Sequence, residues 1–248
     1  MAGDRLAVGG PCRAALGQLS HRTLTAAVGA MTRSVVSIAA VGLPLLWSNM
    51  LLPRSALGIR GRTAANVAFA TVYGAAFGAR PNWCSRRGLR WGAAAGTVVV
   101  AGYGAALAIP PLRRRLAGFA GRAPEVPLAE WAAVHIPLGT VYCEELIFRG
   151  TLDPLLDAAF GGSGKWFAAA AFGLWHVHPA RSAGDSVPAT VAATAAGGLI
   201  LSWLRRRTVS ATAPALLHLA LNVGGSLAPL AARAQRRTLD QPHDFAGG

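Results

Sequence analysis

The stretch VYCEELIFRG, residues 141–150, decides how the rest of this chain is interpreted. It places two adjacent glutamates, Glu144 and Glu145, and the arginine Arg149 inside an otherwise apolar run. A charged side chain at the centre of a membrane-spanning helix costs about 2.5–3.5 kcal/mol, so such a group needs partners and marks a functional site. The meaning of the stretch therefore depends on whether its surroundings belong in a membrane.

The surrounding sequence is typical of a polytopic membrane protein. Of the 248 residues, 53% are apolar and only 14% are charged, and the apolar residues are gathered into long runs. Most of these runs approach the roughly 20 residues that a spanning helix needs, and they lie at about 35–52, 64–79, 91–110, 128–148, 166–176, 187–204 and 209–231. We predict an all-α bundle of about seven to eight transmembrane helices, and the last run is either one broken helix or two short ones.

The strongly basic charge fits the same setting. A formal net charge of +14 could suggest nucleic acid, but the arginines fall between the apolar runs, where they would contact lipid headgroups. We therefore expect the lipid bilayer, and no nucleic acid, as a partner. The basic residues divide almost evenly between the two sides, which leaves the orientation open. Abundant alanine and arginine with a single lysine, Lys165, indicate a GC-rich bacterial genome, so the expected location is the bacterial plasma membrane, crossed several times.

Two further apolar runs carry polar side chains at helical spacing. In FGLWHVHPA, residues 172–180, His176 lies four residues after Phe172 and shortly before Pro179, which ends the helix. In PALLHLALN, residues 214–222, His218 and Asn222 lie four apart on one helical face. Polar groups on separate spans must face the bundle interior and find each other or water. The sequence therefore predicts a polar site inside the bundle.

Helical spacing separates the roles of the two glutamates. Glu145 and Arg149 are four apart with the acid first, which is the favourable order for an ion pair on one face. Successive helical residues point about 100° apart, so Glu144 faces another direction and stays available for chemistry. In the alternative interpretation the helix ends near Cys143, and both glutamates lie in a solvated turn at the membrane interface.

The three motifs together resemble the CAAX prenyl protease and bacteriocin-processing (CPBP) family, also called type II CAAX intramembrane proteases. The family patterns are Glu-Glu-x-x-x-Arg, Phe-x-x-x-His and His-x-x-x-Asn, in that order. The matching residues are Glu144, Glu145 and Arg149, then Phe172 and His176, then His218 and Asn222. The resemblance covers about 128–226, whereas residues 1–127 resemble nothing beyond membrane spans.

The resemblance implies an intramembrane endopeptidase that acts on a peptide or lipidated protein. It implies four catalytic residues: Glu144 as the general base that activates water, His176 as the residue that orients this water, and His218 and Asn222 as oxyanion stabilisers. It further implies that Glu145 and Arg149 brace the site. Two other histidines, His135 and His178, are expected to be a packing residue and a rim residue.

No cofactor is expected, because a buried carboxylate can activate water alone and the chain lacks a His-Glu-x-x-His motif. The alternative is a divalent metal such as zinc, held by Glu144, His176 and His218.

Two other functions also remain open. One is a catalytically silent immunity or scaffold protein of the same fold. The other is a small transporter, since intramembrane Glu and His also mark ion pathways.

Composition divides the chain into four segments. Residues 1–34 are basic and are expected to be a mobile tail, with a transit peptide as the alternative. Residues 35–127 are expected to form N-terminal transmembrane helices, and residues 128–232 the catalytic helical core. Residues 233–248 are polar and are expected to be disordered. The three cysteines lie far apart and predict neither a disulfide framework nor a zinc finger.

Overall fold

The computed structural model describes residues 35–121 and 124–240, and the predicted basic tail at 1–34 lies outside these ranges. Within them the chain is helical and contains no strand, which confirms the all-α class. In chain order the main helices are α1 Val35–Arg54, α2 Ile59–Ala76, α3 Arg86–Ala108, α4 Pro110–Ala117, α5 at 128–160, α6 Gly164–Trp175, α7 Val177–Ala183, α8 Val187–Thr208 and α9 Thr212–Asp240.

In the part of the chain that the structure describes, four helices are long and apolar enough to cross a membrane. They are α1, α3, α8 and the Thr212–Thr238 part of α9. The predicted count of about seven to eight spans is therefore supported only loosely. Helix α6 has 12 residues, which at 1.5 Å per residue is shorter than the roughly 30 Å hydrocarbon core. Helix α5 is long but carries the glutamates that lower its hydropathy.

The last apolar run forms a single helix. Helix α9 continues through Pro229 and reaches Asp240, so it is neither broken nor divided in two. Gly224 lies inside the continuous helix. Its missing side chain leaves the space that the Tyr103 ring of α3 occupies. The helix also extends into the segment 233–248 that was expected to be disordered, since Ala, Arg, Gln and Leu in this part favour helix. Residues 241–248 lie outside the described ranges.

Glycines allow α3 to lie directly against α9. Gly88, Gly92 and Gly96 recur every four residues and so share one face of α3. A Cβ atom on Gly92 would approach Cα of Ala213 to 2.9 Å, and one on Gly96 would approach Cβ of Ala220 to 3.5 Å. Small residues are enriched where helices meet in lipid, because close backbone approach gains van der Waals contact that apolar burial does not supply there.

Helix α5 is the central element and carries residues 141–150 with both glutamates. Two of its segments, Trp131–Tyr142 and Glu145–Leu152, are wound as π-helix, and every residue of the second is buried. Pro137 lies in the first segment and cannot donate the backbone hydrogen bond of a regular α-helix. Glu144 and Glu145 are 6% and 0% exposed within this continuous helix. The structure therefore excludes a solvated turn after Cys143.

Ion pairs hold α5 near both of its ends. At the first end, Glu130 accepts hydrogen bonds from Nε and Nη2 of Arg60 on α2, at 2.7 and 2.9 Å. At the other end, two acids of α5 pair with two arginines of α8 across 2.8–3.2 Å, namely Asp153 and Asp157 with Arg205 and Arg206. Asp153 is fully buried and also accepts a hydrogen bond from Ser202 of α8. Ion pairs to α2 and α8 therefore hold α5 on both sides of its middle part.

Candidate active site

Four ionisable side chains from three regions of the fold meet beside the middle of α5. Oε2 of Glu144 lies 3.9 Å from Nε2 of His176, at the end of α6, and 3.7 Å from Nε2 of His218 on α9. Nδ1 of His218 lies 2.8 Å from Oε1 of Glu145. The structure thus brings together polar groups that the sequence holds on separate apolar runs. Their catalytic roles remain predictions.

The cluster is enclosed, with one partly accessible member. Glu145 is fully buried and Glu144 and His218 are each 6% exposed, whereas the His176 side chain is 20% exposed. Electrostatic interactions are stronger at such a site than in water, because little solvent screens them. His176 therefore lies where the enclosed carboxylate comes closest to the outside.

Hydrogen bonds fix the proton positions on both histidine rings. Nδ1 of His176 donates to the backbone carbonyl of Phe172 at 2.8 Å, since a carbonyl oxygen can only accept. Nδ1 of His218 lies 2.8 Å from Oε1 of Glu145, which is an acceptor whenever that carboxyl carries no proton. In each neutral ring the other nitrogen, Nε2, is then an acceptor. Both acceptors face Oε2 of Glu144.

Trp175 is a member of the site that the sequence motifs did not reveal. Its indole Nε1 donates to Oε1 of Glu144 at 3.2 Å, and the side chain is buried. In the described part of the chain, Oε2 of Glu144 has no hydrogen-bond partner. A sequence signal existed, because a buried indole N–H needs an acceptor and Trp175 directly precedes His176 in an apolar helix.

Arg149 supports Glu145 as the spacing of four predicts. Its Nε lies 3.6 Å from Oε2 of Glu145, and both side chains are almost fully buried. Its Nη2 donates to the carbonyl of Gly198 at 3.4 Å, and its guanidinium lies 4.2 Å from the ring centroid of Phe172. The motif phenylalanine therefore supplies an aromatic face to the buried cation, while its backbone carbonyl orients His176.

Asn222 stands apart from the cluster in this conformation. Its amide Nδ2 donates to the backbone carbonyl of His218, one turn earlier in α9, at 3.1 Å. The side chain is half-buried. Asn222 can donate to an oxyanion only after its amide turns away from this carbonyl, so its implied role stays a prediction.

The other two histidines that the structure describes, His135 and His178, lie outside the cluster. Nδ1 of His135 lies 2.7 Å from Oγ1 of Thr63, and its Nε2 lies 3.1 Å from Oε1 of Glu130, in a buried contact between α2 and α5. Nε2 of His178 lies 3.0 Å from Oγ of Ser182 on the exposed side of α7. The structure agrees with packing and peripheral positions for these residues.

The same geometry bears on the metal alternative. Zinc would require Glu144, His176 and His218 to surround one point at about 2.0–2.2 Å. Within 35–121 and 124–240, no group of three or more His, Cys, Asp or Glu side chains is arranged to hold a metal ion. Nε2 of His176 and Nε2 of His218 both lie near Oε2 of Glu144, but the three side chains do not surround a common point. We therefore derive no step through a metal.

Comparison with known proteins agrees with this site. Residues 127–224 match the family model described as "Type II CAAX prenyl endopeptidase Rce1-like". We call these residues the Rce1-like domain, after the family that they match. It begins beside the first turn of α5 and ends just after Asn222, so the Rce1-like domain contains every residue of the three motifs. No curated protein and no solved structure matches the chain.

The match confirms the resemblance drawn from the motifs. The matched family is one of proteases, and the four apolar helices indicate an integral membrane protein. The Rce1-like domain contains only one of those four helices in full, α8, together with the first part of α9, residues 212–224. Helices α1, α2, α3 and α4 precede it.

Proposed function

We propose that this protein is a membrane-embedded endopeptidase that hydrolyses a peptide bond with a water molecule activated by Glu144. The observation that carries the proposal is the position of Oε2 of Glu144. This oxygen is buried and faces Nε2 of His176 and Nε2 of His218. Trp175 binds the other oxygen of the same carboxylate, Oε1, and so leaves Oε2 available to a water molecule. A water molecule held here would donate one hydrogen to the carboxylate and one to a histidine nitrogen.

In the first step, the oxygen of this water attacks the carbonyl carbon of the peptide bond. A new C–O bond forms, one water proton passes to Oε2 of Glu144, and the π electrons of the carbonyl move onto its oxygen. His176 keeps the water oriented, because its Nδ1 is committed to the Phe172 carbonyl and its Nε2 can only accept. The indole of Trp175 holds the other carboxylate oxygen in place.

The developing oxyanion then needs a donor. His218 supplies one while it holds the proton taken from the water, which Oε2 of Glu144 passes to its Nε2 across 3.7 Å and takes back before the C–N bond breaks. Nδ1 stays bound to Glu145 meanwhile. The Glu145 carboxylate balances the charge of that ring. Asn222 adds a second donor once its amide leaves the His218 carbonyl.

In the final step the C–N bond breaks. The proton held by Glu144 passes to the leaving nitrogen, which departs as an amine, and the other product is a carboxylic acid. Glu144 returns to its ionised form. We propose a membrane-associated or lipidated protein as the substrate, and the bacterial plasma membrane as the location, because the family and the apolar helices both favour a membrane setting.

The test is cleavage of quenched fluorescent peptides, with and without a lipid chain, by the detergent-purified protein. Four forms are compared: wild type, Glu144→Gln, His218→Ala and the control Glu125→Gln, which removes an exposed carboxylate near α2. We expect wild type and the control to cleave equally with or without a chelator, and the two site variants to lose at least 100-fold in rate. Cleavage that a chelator stops and zinc restores would overturn the metal-free step. Absence of cleavage by wild type would overturn the endopeptidase assignment.

A further inference from the structure

His176 stands at a break between two helices. Helix α6 ends at Trp175, α7 begins at Val177, and His176 has φ −92° and ψ 7°. At such a break, the last carbonyls of one helix and the first amides of the next lose their helical partners and must find others. The groups that replace those partners determine where the His176 ring lies.

Two adjacent residues of α1 replace them. Oγ of Ser48 donates to the carbonyl of Trp175 at 2.7 Å. Nδ2 of Asn49 donates to the carbonyl of Leu174 at 3.0 Å, and its Oδ1 accepts from the backbone N–H of His178 at 2.8 Å. The single side chain of Asn49 thus joins the end of α6 to the beginning of α7.

The local winding of α1 presents both side chains to this break. Residues Trp47–Leu51 form a π-helical turn, a rare conformation that is frequent at functional sites. Trp47 fixes this turn against α2, because its Nε1 donates to Asn66 at 2.8 Å and its ring stacks on Phe69 at a centroid distance of 4.5 Å. Ser48 is buried, so its hydroxyl has little access to solvent.

We propose that Asn49, assisted by Ser48, is a positioning residue of the active site. It holds His176 and Trp175 against Glu144 by fixing the backbone on both sides of the break. Both residues lie outside the Rce1-like segment 127–224, so α1 completes the site. The kinetic consequences of this inference rest on the proposed function, whereas the geometry around His176 does not.

The kinetic test uses Asn49→Ala, Asn49→Asp and Ser48→Ala. Matched controls are Asn82→Ala, which removes an amide that also bridges two backbone groups, and Ser55→Ala, which removes a hydroxyl bound within α1. We expect Asn49→Ala to lower kcat about 10- to 100-fold with KM changed less than about twofold, since small misplacements of catalytic groups are costly. Asn49→Asp keeps the acceptor for His178 and should lose less. Controls should retain kcat.

A second readout needs no catalysis. The rate at which diethyl pyrocarbonate modifies His176 is measured by peptide mass spectrometry in the Glu144→Gln background, with acetylhistidine added to the reaction as the reference. We expect Asn49→Ala to raise this rate at least threefold and Asn82→Ala to leave it unchanged. An unchanged His176 rate in both Asn49 variants would overturn the inference, even if wild type cleaves peptides. A raised rate together with no wild-type cleavage would overturn only the endopeptidase proposal.

Discussion

The indole nitrogen of Trp175 donates to Oε1 of Glu144 across 3.2 Å, from the residue that directly precedes His176. This bond settles which carboxylate oxygen faces the histidines. It also connects the first motif on α5 to the second motif at the end of α6. One substitution can remove the bond and leave the aromatic ring in place.

Trp175→Phe should lower kcat about ten- to one-hundredfold with little change in KM. A hydrogen bond to a charged group is worth about 1.5–3 kcal/mol, and about 1.4 kcal/mol corresponds to a factor of ten in rate. Peptide cleavage measured over a range of substrate concentrations checks this expectation. Trp203→Phe is the control, because this exposed indole belongs to α8 and contacts Trp91 instead of the site. Equal kcat in both variants would show that Glu144 orients itself.

Arg149→Met should destabilise the protein by about 3–5 kcal/mol, because it leaves the buried charge of Glu145 without its neighbouring cation. Adding Glu145→Gln removes this orphan charge, so the double variant should be more stable than the sum of the two single losses. Unfolding in detergent, followed by circular dichroism, measures the three free energies. The exposed Arg86→Met provides the baseline. Strictly additive losses would mean that the two side chains do not interact.

Asp153→Ala should cost more stability than Asp157→Ala. Asp153 is fully buried and binds both Ser202 and Arg205, so its removal leaves the buried Ser202 hydroxyl without its acceptor and Arg205 with Asp157 alone, a loss of about 1–3 kcal/mol. The Asp157 side chain is 32% exposed, and water can replace it. Comparing the two midpoints of thermal unfolding decides the order. A larger loss for Asp157→Ala would contradict it.

Gly92→Leu should force α3 away from α9 and lower the stability by at least about 1–3 kcal/mol. The added Cβ would lie 2.9 Å from a backbone atom, Cα of Ala213, which no change of rotamer can move. Gly102→Leu in the same helix is the matched control, because nothing lies within 4 Å of its added Cβ. Unfolding in detergent compares the two. Equal stability of both variants would argue against close packing at Gly92.

Local spacing made one part of the site readable from the sequence. Glu145 and Arg149 are four residues apart in one helix, so their pairing follows from helical geometry alone. For Glu144, His176 and His218 the sequence predicted only that buried polar groups on separate helices need partners. It did not predict which atoms meet. Their actual pairing depends on how α5, α6 and α9 pack, which no local pattern contains.

Contacts from outside the motifs could not be predicted for the same reason. Asn49 and Trp175 are 126 positions apart in the chain, and their neighbourhood arises from packing of α1 on α6. Glycines also misled the prediction of helix α9. Gly224 suggests a break by composition, yet its role is to admit the Tyr103 ring of α3, and the helix continues.

The ion pairs at the two ends of α5 have a consequence for motion. Arg60 holds Glu130 near the first turn, and the arginines of α8 hold Asp153 near the other end. Sliding of α5 along its axis, or rotation about it, would break both sets at once. These pairs therefore favour a fixed position for Glu144, and under the proposed function we expect an opening that admits a peptide to carry the histidines of α6 and α9 away from it. On this view, substrate entry and assembly of the catalytic groups are one and the same displacement.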